Sequence, residues 1–146
     1  MPNPEPSKKI TPEMEVILAQ PLLARLATTN RKTLQPHLTL VWFLWDGENV
    51  WISAFSSTRK LKEIHGNPKI AVLIEPKSGE SKLQAVLLEG TAELISDQRE
   101  LIKEMSLRIY EHYLGAQGVL ADDPQSWARD PENRLIKLSP QRVFSW

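Results

Sequence analysis

The segment SSTRKLKEIHGNP, residues 56–68, gathers hydroxyls and bases at the start of a short helix. Ser56, Ser57 and Thr58 are good N-cap residues, and Gly66-Asn67-Pro68 is a strong stop. Arg59 and Lys60 then fall in the first turn, with Lys62 close behind. The positive end of the helix dipole favours acids there, not bases. A bound anion would reconcile the two, because helix N–H groups, hydroxyls and fixed cations together suit a phosphate. The other reading is a solvated surface helix whose charges point to water.

Three tryptophans, Trp42, Trp45 and Trp51, lie just before this helix. Large aromatics beside an anion site suit a ligand with a flat ring and a phosphate. They equally suit core or interface packing. The histidines, His37, His65 and His112, have neither HxH nor HExxH spacing, so no metal site is expected. His37 alternates on a strand face from which it could reach a ligand. No GxSxG, GxGxxG or P-loop pattern is present, and no serine or threonine has an obvious His–acid partner. If the chain is an enzyme, the hard chemistry belongs to a cofactor.

The elements that must position these residues are mostly strands. Thr11-Pro12 opens a helix over residues 12–20, ended by Pro21. LLARLATTN reads as a strand. PHLTLVWFLW and VWISAF flank Asp46-Gly47 as a hairpin. In its first run His37, Thr39, Val41, Phe43 and Trp45 share one face, and Leu38, Leu40, Trp42 and Leu44 the other. Both faces are mainly apolar, so both need cover. One suits a barrel interior; the other needs a partner subunit or a flat ligand. KIAVLIE is a compact strand, and LQAVLLEGTAELI a long one whose Gly90 marks a bulge or a close backbone approach. An amphipathic helix with Leu101, Met105, Ile109 and Tyr113 at four-residue spacing stops at Gly115. Residues 116–133 read as irregular, and two strands split by Pro140 end the chain. Strands close in sequence, joined by hairpins or single short helices, predict an antiparallel, mainly β barrel with flanking helices.

The 146 residues fit a single domain. Lys+Arg and Asp+Glu both number 18, and this neutral balance argues against a general nucleic-acid binder. An oligonucleotide-binding barrel that stacks bases on the tryptophans is disfavoured for the same reason. The absence of cysteine excludes disulfides and thiolate chemistry and fits a cytoplasmic protein. The first ten residues, rich in proline, read as a flexible arm and not as a signal peptide, and no run reaches transmembrane length.

The stretch from ARLATTN to KIAVLIE, together with LLEGTAEL and the ending IKLSPQRVFSW, resembles the pyridoxamine 5'-phosphate oxidase-like family of FMN-binding split barrels. The resemblance covers most of the chain and lies in the order and spacing of these pieces. It implies a Greek-key-like split β-barrel that forms a homodimer, with FMN in two grooves between subunits. Carried over, the FMN phosphate falls to Ser53, Ser57, Thr58, Arg59 and Lys60. The ring lies against Thr39, Leu40, Val41 and Trp42. Gln84 lies near a position where the oxidases use a glutamine. Those oxidases have an arginine and a lysine on the strand that here reads TLVWFL, and a C-terminal segment with an Arg and a His; here that strand has no base, and the chain ends RVFSW. The resemblance therefore implies an FMN-dependent oxidoreductase acting on another small molecule. Its alternatives are a deazaflavin-dependent reductase and a flavin-binding protein without catalysis.

Overall fold

The computed structural model describes residues 9–146. All but the end of the expected N-terminal arm lies outside the described residues. Eight strands and four helices follow in the order α1 (Pro12–Leu18), β1 (Ala24–Thr29), β2 (Pro36–Val41), β3 (Leu44–Trp45), β4 (Val50–Phe55), α2 (Arg59–Gly66), β5 (Lys69–Ile74), β6 (Val86–Ile95), α3 (Arg99–Gly118), α4 (Asp122–Arg129), β7 (Asn133–Leu138) and β8 (Arg142–Ser145). The sheet path is β2-β1-β5-β6-β7-β4-β3, and β8 adds to β6. Each of these pairings is antiparallel. The path begins at β2 and ends at β3, which are consecutive in the chain. Trp42 and Phe43 thus join the two ends of the sheet, and the result is a split barrel. Among the described residues, no helix is long and apolar enough to cross a membrane.

The expected long hairpin is corrected here. Its first run divides at Trp42-Phe43: β2 pairs with β1, whereas only the two residues of β3 pair with β4. Phe43 leaves the ladder because its side chain fills the barrel interior, where it is fully buried. The Asp46-Gly47 turn itself forms. Asp46 Oδ1 accepts from the backbone N–H groups of Glu48 and Asn49 at 2.8 and 2.7 Å, and Gly47 takes φ 99°.

One further expectation changes. Residues 122–129, read as irregular, form α4. Asp122 and Asp123 suit the dipole in its first turn, and Pro124 and Ala128 are buried on one face. The amphipathic helix breaks at Gly115, which takes the non-helical φ 81° and ψ 171°, and a short helical turn follows it to Gly118. Gly90 marks a close approach and not a bulge, since the β5–β6 register passes through it unbroken. A Cβ at Gly90 would lie 2.9 Å from Leu138 Cδ1 and 3.2 Å from the Ser139 carbonyl oxygen. Gly90→Ala should therefore cost about 1–3 kcal/mol through overpacking. A urea titration should show a lower midpoint with an unchanged slope.

Two buried clusters result. One fills the barrel with Ile17, Leu26, Phe43, Ile52, Val72 and Leu88. The other seals α3 and α4 onto the outside of β4 and β7 through Trp51, Ile102, Met105, Ile109 and Leu135. The two faces of β2 fare differently. Val41 points inward and is buried, whereas Leu38 and Leu40 are 63% and 60% exposed.

Candidate functional site

A cleft of about 410 Å³ opens where the end of β2, the end of β4, the start of α2 and the helices α3 and α4 meet. Leu40, Val41 and Trp42 form one wall, and Ser53, Ala54 and Phe55 its floor. Thr58 and Lys60 close one end, and Tyr110 and Trp127 cover the other side. Six of the expected site residues meet here: Leu40, Val41, Trp42, Ser53, Thr58 and Lys60. Thr39 sits one position back on β2, with its Oγ1 buried and unpartnered among the described residues. Ser57 and Arg59 face a neighbouring cleft on the other side of α2. Gln84 lies apart, in a shallow dimple with Leu73, Glu75, Ala85 and Trp146.

The tryptophans divide in the same way. Trp45 and Trp51 are buried, each anchored through its indole N–H: Trp45 to Glu15 Oε2 at 2.7 Å, Trp51 to Asp46 Oδ2 at 2.8 Å. Of these three, Trp42 alone reaches the cleft. One of its faces stacks on Tyr113, with centroids 4.8 Å apart and planes 5° apart. Tyr113 is fixed in turn, donating to the Leu22 carbonyl at 2.6 Å and accepting from the Phe43 N–H at 3.1 Å. Burial pushes its phenol up to about 12, against the opposing Phe43 hydrogen bond. Tyr110 meets Trp42 and Trp127 edge to face, at 6.4 and 5.8 Å. An aromatic frame thus surrounds the cleft, locked by backbone hydrogen bonds at the break between β2 and β3.

Below that frame lies a polar network. Ser53 Oγ donates to Asn133 Oδ1 at 2.8 Å, Asn133 Nδ2 donates to Ser106 Oγ at 2.9 Å, and Ser106 Oγ donates to Ser53 Oγ at 3.2 Å. With the Ser53 proton so used, the Tyr110 hydroxyl donates to Ser53 at 2.9 Å. Ser106 and Asn133 are fully buried. Burial raises the Tyr110 phenol above its usual range, against the lowering effect of its bonds to Ser53 and Ser106. Neither Tyr110 nor Asn133 was expected in the site. The signal available was Ser106 and Tyr110, four residues apart on the buried stripe of α3, where two polar groups need partners.

The start of α2 resolves its unfavourable charges unevenly. Arg59 reaches one helical turn forward, and its Nε donates to Glu63 Oε1 at 2.6 Å. Glu63 is buried and also accepts from Thr28 Oγ1 at 2.5 Å. Burial alone would raise the Glu63 carboxyl; the Thr28 and Arg59 hydrogen bonds and the charges of Arg59 and His37 outweigh it, so the carboxyl is held below 4.5. His37 Nδ1 lies 3.4 Å from Glu63 Oε2, close enough for charge pairing but not aligned for a hydrogen bond. Thr58 is the N-cap, yet its hydroxyl donates backwards to the Phe55 carbonyl at 2.8 Å. Lys60 has no acid partner among the described residues, and burial lowers its ammonium below the usual lysine range.

The depressed Glu63 group predicts a pH effect. Its stabilisation is complete above the unfolded value of 4.5 and is lost as pH falls through the lower folded value. Glu63→Gln should therefore be less stable than the parent at neutral pH, and the gap should close in acid. Urea unfolding at a series of pH values checks this; a gap that stays constant would contradict it.

A half-buried base beside hydroxyls at a helix start, with an aromatic frame above, is the site of a small split-barrel protein that can take a flat anionic ligand. Residues 10–146 match the family Pyridoxamine 5'-phosphate oxidase, and the chain belongs to that family. Known structures share the fold. A protein named F420 Reductase superposes with TM-score 0.74 at 21% identity, covering 92% of this chain and 98% of its own. A Listeria innocua protein, provisionally named a pyridoxamine 5'-phosphate oxidase, gives 0.66 at 26%, covering 90% and 94%. HutZ, a heme storage protein from Vibrio cholerae, gives 0.71 at 16%, covering 93% and 94%. No curated protein sequence matches the chain.

Proposed function

We propose that the chain is a homodimeric FMN-binding protein, an oxidoreductase for a small organic molecule other than a vitamin B6 phosphate. The observation that carries this reading is Lys60. It is a half-buried cation without an acid partner among the described residues, at one end of a cleft with apolar and aromatic walls and with Ser53 and Asn133 below them. Leaving such a charge unpaired is costly unless a ligand supplies the anion. The donors fit FMN. Lys60, Thr58 and the first N–H groups of α2 would hold the phosphate, with Ser53 beneath. Thr39, Leu40, Val41 and Trp42 would edge the ring. Bound FMN would supply electron or hydride transfer; the chain contributes binding, orientation and exclusion of water.

The dimer rests on β2. It ends the sheet path, and its outer face carries exposed Leu38 and Leu40 beside the cleft. An apolar edge strand of this kind is normally covered. A second copy would cover it and finish the cleft wall.

A second reading keeps the cleft and exchanges FMN for a deazaflavin coenzyme. The likeness to a protein named F420 Reductase supports it. Titration of FMN into the purified chain, followed by flavin fluorescence, separates the two. Saturable binding at one FMN per chain is expected, and binding of a deazaflavin but not FMN would reverse the assignment. Steady turnover with reduced nicotinamide and an organic acceptor is the expected sign of catalysis. Tight FMN binding without turnover would leave a flavin carrier.

A further inference from the structure

A second cleft, of about 680 Å³, opens on the other side of α2. It lies between that helix and the turn that joins β1 to β2. Arg31 and Lys32 come from the turn, Arg59 and Lys62 from the helix. Among the described residues, Glu63 is the only acid on its wall, and that carboxylate already holds Thr28 and Arg59. Arg31, Lys32 and Lys62 have no acid partner among the described residues. The chain as a whole is neutral, so this concentration of bases does not follow from composition.

The backbone that carries Arg31 and Lys32 is fixed. Asn30 Oδ1 accepts from the Lys32 and Thr33 N–H groups, both at 2.9 Å, and the Asn30 carbonyl accepts from Leu34 N–H at 2.9 Å. Leu34 takes φ 62°, a conformation that leucine adopts only where its surroundings enforce it. The Arg31 stem packs against α2 at Gly66, where an added Cβ would come within 3.3 Å of Arg31 Cβ. Arg59 spends its Nε on Glu63, which leaves its terminal nitrogens available. Gathered like charges repel one another, and a multiply charged anion in the cleft would offset that repulsion.

We propose that this cleft is a second anion site, distinct from the one at Lys60, and that it takes a chain of two or more phosphoryl groups. The planar forks of Arg31 and Arg59 match phosphoryl oxygens two at a time. Cations on two separate elements suit an extended anion better than a single phosphate. No aromatic side chain lines the cleft among the described residues, so it offers no platform for stacked bases. The site does not depend on which flavin occupies the first cleft. Along the helix start, Thr58 and Lys60 face one cleft, and Ser57 and Arg59 face the other.

The test is isothermal titration of inorganic tripolyphosphate into the full chain, with and without FMN. The parent and Lys60→Ala should bind it alike. The double variant Arg31→Glu, Lys62→Glu should bind at least about tenfold more weakly, a loss of about 1.4 kcal/mol or more. Both side chains are exposed, so the double variant should keep its thermal midpoint and its FMN affinity. A tri-aspartate peptide should bind the parent at least about tenfold more weakly than tripolyphosphate. Unchanged binding by the double variant would overturn the proposal, as would loss of tripolyphosphate binding in Lys60→Ala. Equal binding of the tri-aspartate peptide would overturn the phosphoryl assignment.

Discussion

Lys60→Ala should weaken FMN binding by about ten- to a hundredfold while the fold survives. A charge-assisted hydrogen bond contributes about 1.5–3 kcal/mol, and each 1.4 kcal/mol is a factor of ten in affinity. Lys60 suits this test because its charge has no acid partner among the described residues. Its truncation therefore breaks no ion pair of the fold. Burial already disfavours its ammonium, so the protein without ligand should lose no stability and gain a little. Arg59→Ala should differ in stability. It strands the buried Glu63 carboxylate and should lower the thermal midpoint. The contrast between adjacent residues is the diagnostic part. Fluorescence titration and thermal unfolding on the same samples measure it. An unchanged FMN affinity in Lys60→Ala would place the phosphate elsewhere.

The paired substitution Leu38→Glu, Leu40→Glu should turn the proposed dimer into a monomer with most of its FMN affinity lost. Both leucines stand more than half exposed on an edge strand, so the fold of the single chain does not need them. Burying a leucine fully contributes about 1.5–3 kcal/mol, and the buried carboxylates would add a desolvation cost. The dimer dissociation constant should rise by at least about a hundredfold. Leu40 also lines the cleft, so cofactor affinity should fall with it. Sedimentation equilibrium gives the mass, and retained secondary structure shows that the chain still folds. A variant that remains dimeric would show that another surface joins the subunits.

Much of the fold could be read from local patterns. Alternation on β2, the Asp46-Gly47 turn, the start of α2 at Thr58 and the stop at Gly66-Asn67 all rest on neighbouring residues. What escaped depends on tertiary context. Nothing in PHLTLVWFLW shows that the strand must leave one part of the sheet at Trp42 and enter another at Leu44. That division is set by Phe43 filling the barrel and by Tyr113, far along the chain, bonding to the Phe43 N–H. The helix α4 escaped because its eight residues carry proline and two aspartates, which read as loop until Pro124 and Ala128 are seen buried against α3.

The site shows the same division. Lys60 and Thr58 were legible because a helix start has a fixed geometry. Arg59 was assigned to the phosphate and its pair with Glu63 missed, although Glu63 stands four residues on; the pair answers half of the misplaced charge without any ligand. The network of Ser53, Ser106, Tyr110 and Asn133 was not, because it joins residues as far apart as 80 positions. Periodicity shows that Ser106 and Tyr110 lie on the buried side of α3 but not which atoms await them.

The central claim is that a flavin with a 5'-phosphate sits in the cleft ended by Lys60. Its most direct test is an absorbance spectrum of the purified chain, followed by a mass spectrum of the ligand released on denaturation. A yellow protein, a flavin spectrum and the mass of FMN are expected, all lost in Lys60→Ala. A haem or deazaflavin spectrum from the parent protein, or an apoprotein that fails to take up added FMN, would contradict it.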